Sequence, residues 1–517
     1  MAIAVYFITF LIGILSYFLW HWTYWMRRGI RGPRGYPVIG LANTMFSSDS
    51  PPFLRLKEWG NVYGPIFGIT EGFNKSLVIS DPDLVHEVFV KQYDNFYGRK
   101  LNAIHGDPEK DKRVTLFAAQ GYRWKRLRTI ASPTFSNGNL RKLKDTVEDC
   151  AIELLRHIEE QTAGGQQIDM LTFYQEFTLD VIGRISMGQT DSQMFKNPML
   201  PHVRAIFGES RKGMFMMGAV APTFTRLFRW TVQKFNLMSN NNPSAHILTV
   251  VSEAVEKRIR RRSEDVASGV DVGEPEDFID LFLDARAENE QDLNGNGGDF
   301  SRSHSKVSKQ LTSEEIVAQC FVFLVAGFDT TALSLAFTTY LLALNPQVMA
   351  KLQEEVDREC PDPEITFDQL AKLKYMEMVI KETLRLYPLA APANSRRCMK
   401  DTIAGEYRIE AGTYVIVNTW AVQTDPSIWG ADAESFRPER WEGSTEQHKS
   451  GGYIPFGLGP RQCIGMRLAY MEEKLLLAHL LRKYTFQPGA RTRIPLKLVG
   501  RATTQPDSVW MHLRPRH

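Results

Sequence analysis

The longest unbroken apolar run opens the chain. Residues 2–20 carry no charged side chain and are almost wholly hydrophobic, long enough to cross a bilayer as a helix. Trp20, Trp22, Tyr24 and Trp25 follow as an interfacial aromatic belt, and then come Arg27, Arg28, Arg31 and Arg34. By the positive-inside rule the basic end stays cytosolic, together with everything after it. A cleaved secretory leader needs a basic stretch before the apolar run and small residues at a cleavage site, and neither is present. The pattern predicts a single-pass anchor over residues 1–26. The tract GPRGYPVIG at 32–40 is stiff and turn-rich, so residues 27–53 read as a basic, Pro/Gly-rich connector that orients the rest against the membrane.

From residue 54 to 517 no domain linker interrupts the pattern, and most long periodic stretches have helical spacing. The longest covers 312–344. Thr312 and Glu315 are spaced for a capping box at its start, and Asn345-Pro346 ends it. Strand-like runs are short and scattered, SLVI at 76–79 and YVIV at 414–417. Residues 289–309, rich in Asn, Gly, Ser and charge, read as a surface loop between two helices. The expected architecture is mainly α with small β-sheets, one domain over 54–517 behind the anchor.

Composition narrows the function. Among 517 residues, 62 Lys and Arg balance 59 Asp and Glu, a net charge of +3. A nucleic-acid binder shows a marked basic bias, so nucleic acid is not an expected partner. The five cysteines, Cys150, Cys320, Cys360, Cys398 and Cys463, are odd in number and far apart, which argues against a disulfide framework and for a reducing compartment.

One cysteine stands in an unusual setting. The stretch FGLGPRQCIG at 456–465 surrounds Cys463 with three glycines and a proline, and Arg461 precedes it by two. A cysteine nucleophile needs a base, and no cysteine-hydrolase signature is near. Structural zinc needs several Cys or His ligands at short spacing. A third role fits, the thiolate ligand of a haem iron. A thiol with a pKa of ~8.5 has to be held deprotonated, which a metal does. The glycines let backbone approach sulfur and porphyrin closely and permit positive φ, while Pro460 steers Gly459 towards an extended conformation. Backbone N–H groups can aim at the sulfur, and Arg461 is suited to pair with a haem propionate.

These ten residues resemble the haem-binding signature of the cytochrome P-450 family, Phe-x-x-Gly-x-Arg-x-Cys-x-Gly, with Phe456, Gly459, Arg461, Cys463 and Gly465 at its fixed positions. Companion motifs follow the family's order. Glu382 and Arg385 match Glu-x-x-Arg, and FRPERW at 436–441 supplies Arg440, whose family counterpart joins the pair in a buried structural network. Trp124 and Arg128 match Trp-x-x-x-Arg, and Arg396 matches a further arginine; the resemblance implies that all three reach haem propionates. Lys125 and Arg126 lie between them and face either solvent or a redox partner. Gln423-Thr424 depart from the usual His-Arg before Asp-Pro. WKRLRTIASPTFSNGNLRK and ETLRLYPLAAP resemble the animal microsomal branch that oxidises drugs, steroids and other lipophilic compounds.

AGFDTT at 326–331 falls in the middle of the longest helix, where Gly327 costs ~1 kcal/mol relative to Ala and Thr330 can bond back one turn. A tolerated polar turn is the plain account of it. The resemblance implies more: a loosened turn that holds O2 and water above the iron, with Thr330 hydrogen-bonding the bound oxygen and Asp329 relaying protons. Catalytic Asp329 and Thr330, cofactor-binding Trp124, Arg128, Arg396, Phe456, Arg461, Cys463 and Gly465, and metal-ligating Cys463 are the expected site, with haem b (iron protoporphyrin IX) as cofactor. The implied activity is monooxygenation of a lipophilic small molecule, a steroid, fatty acid or xenobiotic. No GxGxxG strand–helix unit is present, so electrons are expected from NADPH–cytochrome P-450 reductase, with cytochrome b5 as a further donor, at the endoplasmic reticulum membrane. A haem-thiolate isomerase or lyase, and a non-catalytic haem-based lipophile binder, are the competing readings; the Asp329–Thr330 pair argues against both. By the same resemblance the substrate is contacted from 99–117, 207–235, the long helix up to Phe328, 389–394 and 499–504.

Overall fold

A computed structural model describes residues 2–47, 51–208, 212–234, 242–270, 275, 277–286, 300, 302, 308–443 and 451–516. The loop expected over 289–309 lies almost wholly outside the described residues. Among the described residues the fold is mainly helical with four small sheets.

Helix α1 (Ala2–Trp22) is 21 residues of apolar sequence with no buried residue, long and apolar enough to be a candidate membrane span. The aromatic belt divides. Trp20 is exposed, but Tyr24 and Trp25 are buried in the protein, against the sheet described next. The Trp25 indole N–H donates to the Ile69 carbonyl at 2.9 Å, and the Tyr24 hydroxyl donates to Glu410 at 2.8 Å. Arg28 pairs with the same Glu410. Two of the four aromatic residues expected at the lipid interface therefore belong to the globular core, because a sheet edge offers them both apolar cover and hydrogen-bond acceptors. The connector is ordered against that edge, with Gly68 N–H donating to Arg31 and a tight turn closed between Tyr36 and Gly40.

The sheet has four strands. β1 (Ile66–Glu71) and β2 (Asn74–Ile79) form an antiparallel hairpin. Later in the chain β3 (Ser395–Arg397) and β4 (Tyr414–Val417) complete the order β1-β2-β4-β3, with β4 parallel to β2 in the register Leu77 to Val415. The two sequences with strand character thus pair with one another across more than 330 positions of chain.

The helical body is built round α5 (Ser313–Leu344), which packs most extensively on α4 (Met170–Met187), with α2 (Gly121–Ala131), α3 (Asn137–Thr162), α6 (Lys374–Leu386) and α7 (Met466–Lys483) around them. α5 is hydrophobic all round, the signature of a helix covered on every side. Its capping box is present, with the Thr312 hydroxyl accepting from Glu315 N–H and the Glu315 carboxylate accepting from Thr312 N–H. That carboxylate also takes Arg126, at 2.6 and 2.9 Å, and Arg126 is buried. Arg126 is therefore not a surface residue for a redox partner; it ties α2 to the start of α5. Its neighbour Lys125 donates to the Arg302 carbonyl.

Candidate active site

The loop that carries Cys463 is shaped by two left-handed glycines and one close approach. Gly457 and Gly459 have φ of +76° and +71°, and a Cβ on Gly459 would lie 2.2 Å from the Phe89 carbonyl oxygen. Gly459 opens a short 3-10 turn rather than the extended conformation expected before Pro460, since Phe89 leaves only the side that glycine can take. Cys463 N–H donates to the Phe456 carbonyl at 2.8 Å, closing the loop, and α7 begins three residues later with Gly465 as its N-cap.

Cys463 is open to space yet surrounded by protein, because its accessible surface faces an internal cavity rather than bulk water. Burial pushes its thiol up, and the Gly465 N–H, the Arg128 charge, the Arg99 charge and the Met466 N–H pull it back down. The sulfur sits at a helix N-terminus, where negative charge is favoured.

The cavity leaves about 1440 Å³ free of atoms, its mouth included. Cys463, Phe456 and Gly465 lie on one wall and Ala326, Gly327, Thr330 and Thr331 on another. This explains why Ala326, in the middle of the most buried helix, is accessible. Gly327 also matters for packing, since a Cβ there would come 3.0 Å from Ile182 of α4. Thr330 donates to the Ala326 carbonyl at 2.8 Å, the back-bond expected of it. Asp329 is elsewhere. It is absent from the cavity wall and fully buried, and one carboxylate oxygen accepts from Thr503 at 2.6 Å and Gln505 at 2.9 Å. Burial pushes it up to about 6.

Four arginines line the cavity: Arg99, Arg128, Arg396 and Arg461. None pairs with a carboxylate among the described residues. Arg128 donates to the Gln462 carbonyl at 2.9 Å, Arg396 to Ser395 at 2.9 Å and Leu458 at 3.2 Å, and Arg461 to the Ala119 and Phe117 carbonyls. Arg99 donates to Ala393. The Nε of Arg99, Arg396 and Arg461 are buried without a partner. Trp124 stacks beneath the Arg461 guanidinium at 4.9 Å. Burial and mutual repulsion lower all three buried guanidinium groups, Arg396 to about 9. Buried cations without anions are costly, so the cluster is suited to an anionic group. Arg99 went unread as part of it, because no motif marks that position.

Behind the loop, Glu382 is the centre of a buried network. Arg385 makes two bonds to it at 2.8 and 2.9 Å, Arg440 bonds at 2.9 Å, and Trp441 donates at 3.0 Å. Gln423, which departs from the usual His-Arg, is built into the same region. Its amide donates to the Leu384 and Arg385 carbonyls at the end of α6, both at 2.9 Å, and its oxygen accepts from Ile454 N–H at 3.1 Å.

Of the segments expected to touch substrate, 99–117 and 389–394 contribute Arg99, Leu116, Phe117, Leu389, Ala390, Ala393 and Asn394 to the wall. The described residues of 207–235 and 499–504 contribute none, although Phe207 meets Phe328 with ring centroids 6.4 Å apart.

Comparison with known proteins agrees with the geometry. The profile of the family Cytochrome P450 matches residues 30–509. The chain is 61% identical over 510 residues to cytochrome P450 CYP13A10 of Caenorhabditis elegans, covering 98% of each chain. It is 61% identical to CYP13A1 and 54% identical to CYP13A2 of the same organism, again along nearly the full length. The family profile covers most of the chain, the cysteine loop region included, and the relatives match it along nearly the full length, so the chain belongs to the cytochrome P450 family.

Proposed function

We propose that this chain is a membrane-anchored haem-thiolate monooxygenase that inserts one oxygen atom of O2 into a lipophilic small molecule, a steroid, fatty acid or xenobiotic. The observation that carries the reading is the cavity itself, with the Cys463 sulfur on one wall, the Thr330 turn on another and unpaired buried arginines at its edge. The residues fit iron protoporphyrin IX. Cys463 would ligate the iron, Arg99, Arg128, Arg396 and Arg461 would hold the two propionates with Trp124, and Phe456 and Gly465 would border the ring. When bound, that group supplies the activation of O2.

The chain's own side chains do the rest. Burial raises the Cys463 thiol, and the Gly465 and Met466 N–H groups at the helix N-terminus work against that by favouring negative charge on the sulfur. The Thr330 hydroxyl, on the cavity wall, donates to the Ala326 carbonyl and is the group of this turn that would offer a hydrogen bond into the cavity. The remaining wall is largely apolar, with Phe117, Phe135, Phe278, Ile182 and Leu389, which excludes water and favours a lipophilic substrate. Electrons come from NADPH through NADPH–cytochrome P-450 reductase, with cytochrome b5 as a further donor, and α1 holds the domain at the cytosolic face of the endoplasmic reticulum.

The test has two arms. Reduced protein with carbon monoxide should show the red-shifted Soret band of a thiolate-ligated haem, and Cys463→Ala should lose it; a normal band in that variant removes Cys463 from the site. Lipid, steroid and xenobiotic libraries are then screened for Soret shifts, and hits are assayed for NADPH-dependent hydroxylation with reductase. Peroxide rearrangement without NADPH would select the isomerase reading instead.

A further inference from the structure

Thr330 and Asp329 are adjacent on α5, and successive helix residues point about 100° apart. Thr330 takes the cavity side, and Asp329 faces a hairpin from the far end of the chain. In that hairpin β5 (Leu498–Val499) pairs antiparallel with β6 (Gln505–Pro506), Gln505 lying opposite Val499. Asp507 N–H donates to the Lys497 carbonyl at 3.0 Å and closes its open end.

The contact is a closed triangle of hydrogen bonds. Thr503 O–H donates to Asp329 Oδ2 at 2.6 Å, and the Gln505 amide donates both to that oxygen and to Thr503 Oγ1, each at 2.9 Å. Asp329 and Thr503 are buried, so a donor left without its acceptor there loses water and partner together. Both bonds end on one carboxylate oxygen; the contact needs an acceptor and makes no use of a proton.

The hairpin carries the contact back to the cavity. Thr504, also buried, donates its N–H to the Leu389 carbonyl at 2.8 Å, and Leu389 and Ala390 are cavity wall. On its other side the same turn of α5 is fixed to α4, where the Thr178 hydroxyl donates to the Phe328 carbonyl at 2.7 Å. Asp329 thus joins the turn that bears Thr330 to a wall segment about sixty positions later in the chain, through two side-chain bonds and one backbone bond.

We infer that Asp329 is a positioning residue: it clamps the 498–506 hairpin to α5 and so sets the Leu389–Ala390 wall relative to Thr330, which fixes the part of a lipophilic substrate presented to that turn. The inference rests on the monooxygenase reading above. It separates this acid from a proton donor, because the clamp works equally well with any side chain that places an acceptor oxygen at Oδ2.

The test uses the haem-loaded full chain. Asp329→Asn keeps an oxygen for both donors and carries no acidic proton. Asp329→Ala keeps neither, and the double variant Thr503→Val, Gln505→Leu removes both donors while leaving the acid in place. Amide hydrogen exchange over 498–506 and 389–391 should rise about tenfold in Asp329→Ala and in the double variant, and should stay parental in Asp329→Asn. With reductase, NADPH and testosterone, which offers several hydroxylation positions, those two variants should give an altered product ratio, a raised KM and about tenfold less product per NADPH. Asp329→Asn should keep the parental ratio, KM and rate, and the carbon monoxide band should be parental throughout. If Asp329→Ala loses haem, the double variant decides. An Asp329→Asn chain that turns over about a hundredfold more slowly with parental exchange marks a proton donor and would overturn the proposal. Parental exchange and product ratio in the double variant would overturn it as well. Failure of the parent to oxidise testosterone or any other lipophilic probe counts against the monooxygenase reading instead, and the exchange result still decides the clamp.

Discussion

Thr330 and Gly459 show how much a single position controls here. Thr330 faces the cavity and its hydroxyl is held by the Ala326 carbonyl. Thr330→Ala should keep haem and the carbon monoxide band, since it removes no packing contact that holds the cofactor. Losing a preorganised donor costs about 3–4 kcal/mol in the transition state, so product per NADPH should fall about a hundredfold while hydrogen peroxide rises to account for the electrons. Coupling equal to the parent would remove Thr330 from the reaction. At Gly459, positive φ and the Phe89 carbonyl exclude any Cβ. Gly459→Ala should therefore displace the cysteine loop, and haem content per polypeptide, measured after purification, should drop sharply. The family signature places a glycine at this position; the neighbouring carbonyl that makes it necessary became visible only in the fold.

At the scale of elements, the junction of α1 with the sheet decides where the protein can be cut. Removing residues 2–20 takes away the apolar helix together with the Tyr17 and Phe18 ring contacts to Phe73, and should still give a soluble chain that binds haem. Removing 2–26, the boundary that the hydropathy pattern suggests, also strips Tyr24 and Trp25 from the core and leaves Glu410 without Tyr24. That longer deletion should melt several degrees lower; equal melting temperatures would show that the two aromatics contribute nothing. The Glu382 network is the second such junction. Arg385→Ala leaves Glu382 buried with fewer partners, and Arg440 takes up only part of the loss, so about 3–5 kcal/mol of stability should disappear with haem retention. The measurement is urea unfolding of the haem-free chain alongside haem content.

For the whole molecule, perturbed carboxyls set opposing pH dependences. Glu148 and Glu377 are held down to about 2, Glu148 by His479, Lys144 and the Ile365 N–H, and Glu377 by Lys381 and Lys474, all against the cost of burial. Their contribution is present above the ordinary carboxylate range and is lost as pH falls through it towards 2. Glu472 and Glu473 work in the other sense. Their folded values, about 8, lie above the unfolded ones, so their contribution is complete in acid and is lost as pH rises from about 4.5 through 8. Thermal melts should therefore fall on both sides of a mildly acidic optimum. The double variant Glu472→Gln, Glu473→Gln should flatten the alkaline limb and leave the acid limb unchanged.

Local chemistry alone determined the N-terminal apolar helix, the capped helix over 313–344, the short strands and the cysteine loop, because each is specified by residues adjacent in sequence: an uncharged apolar run, a cap three residues from its partner, glycines beside a thiol. Tertiary structure decided what depends on approach from a distance. Arg126 has the composition of a surface cation and is buried because Glu315, 189 positions later, is there to receive it. Asp329 has the sequence context of a cavity acid and turns instead to Thr503 and Gln505, which arrive from the far end of the chain. A sequence pattern reports which side chains can be polar or apolar together along one element; which of them share a desolvated space is fixed by how those elements pack.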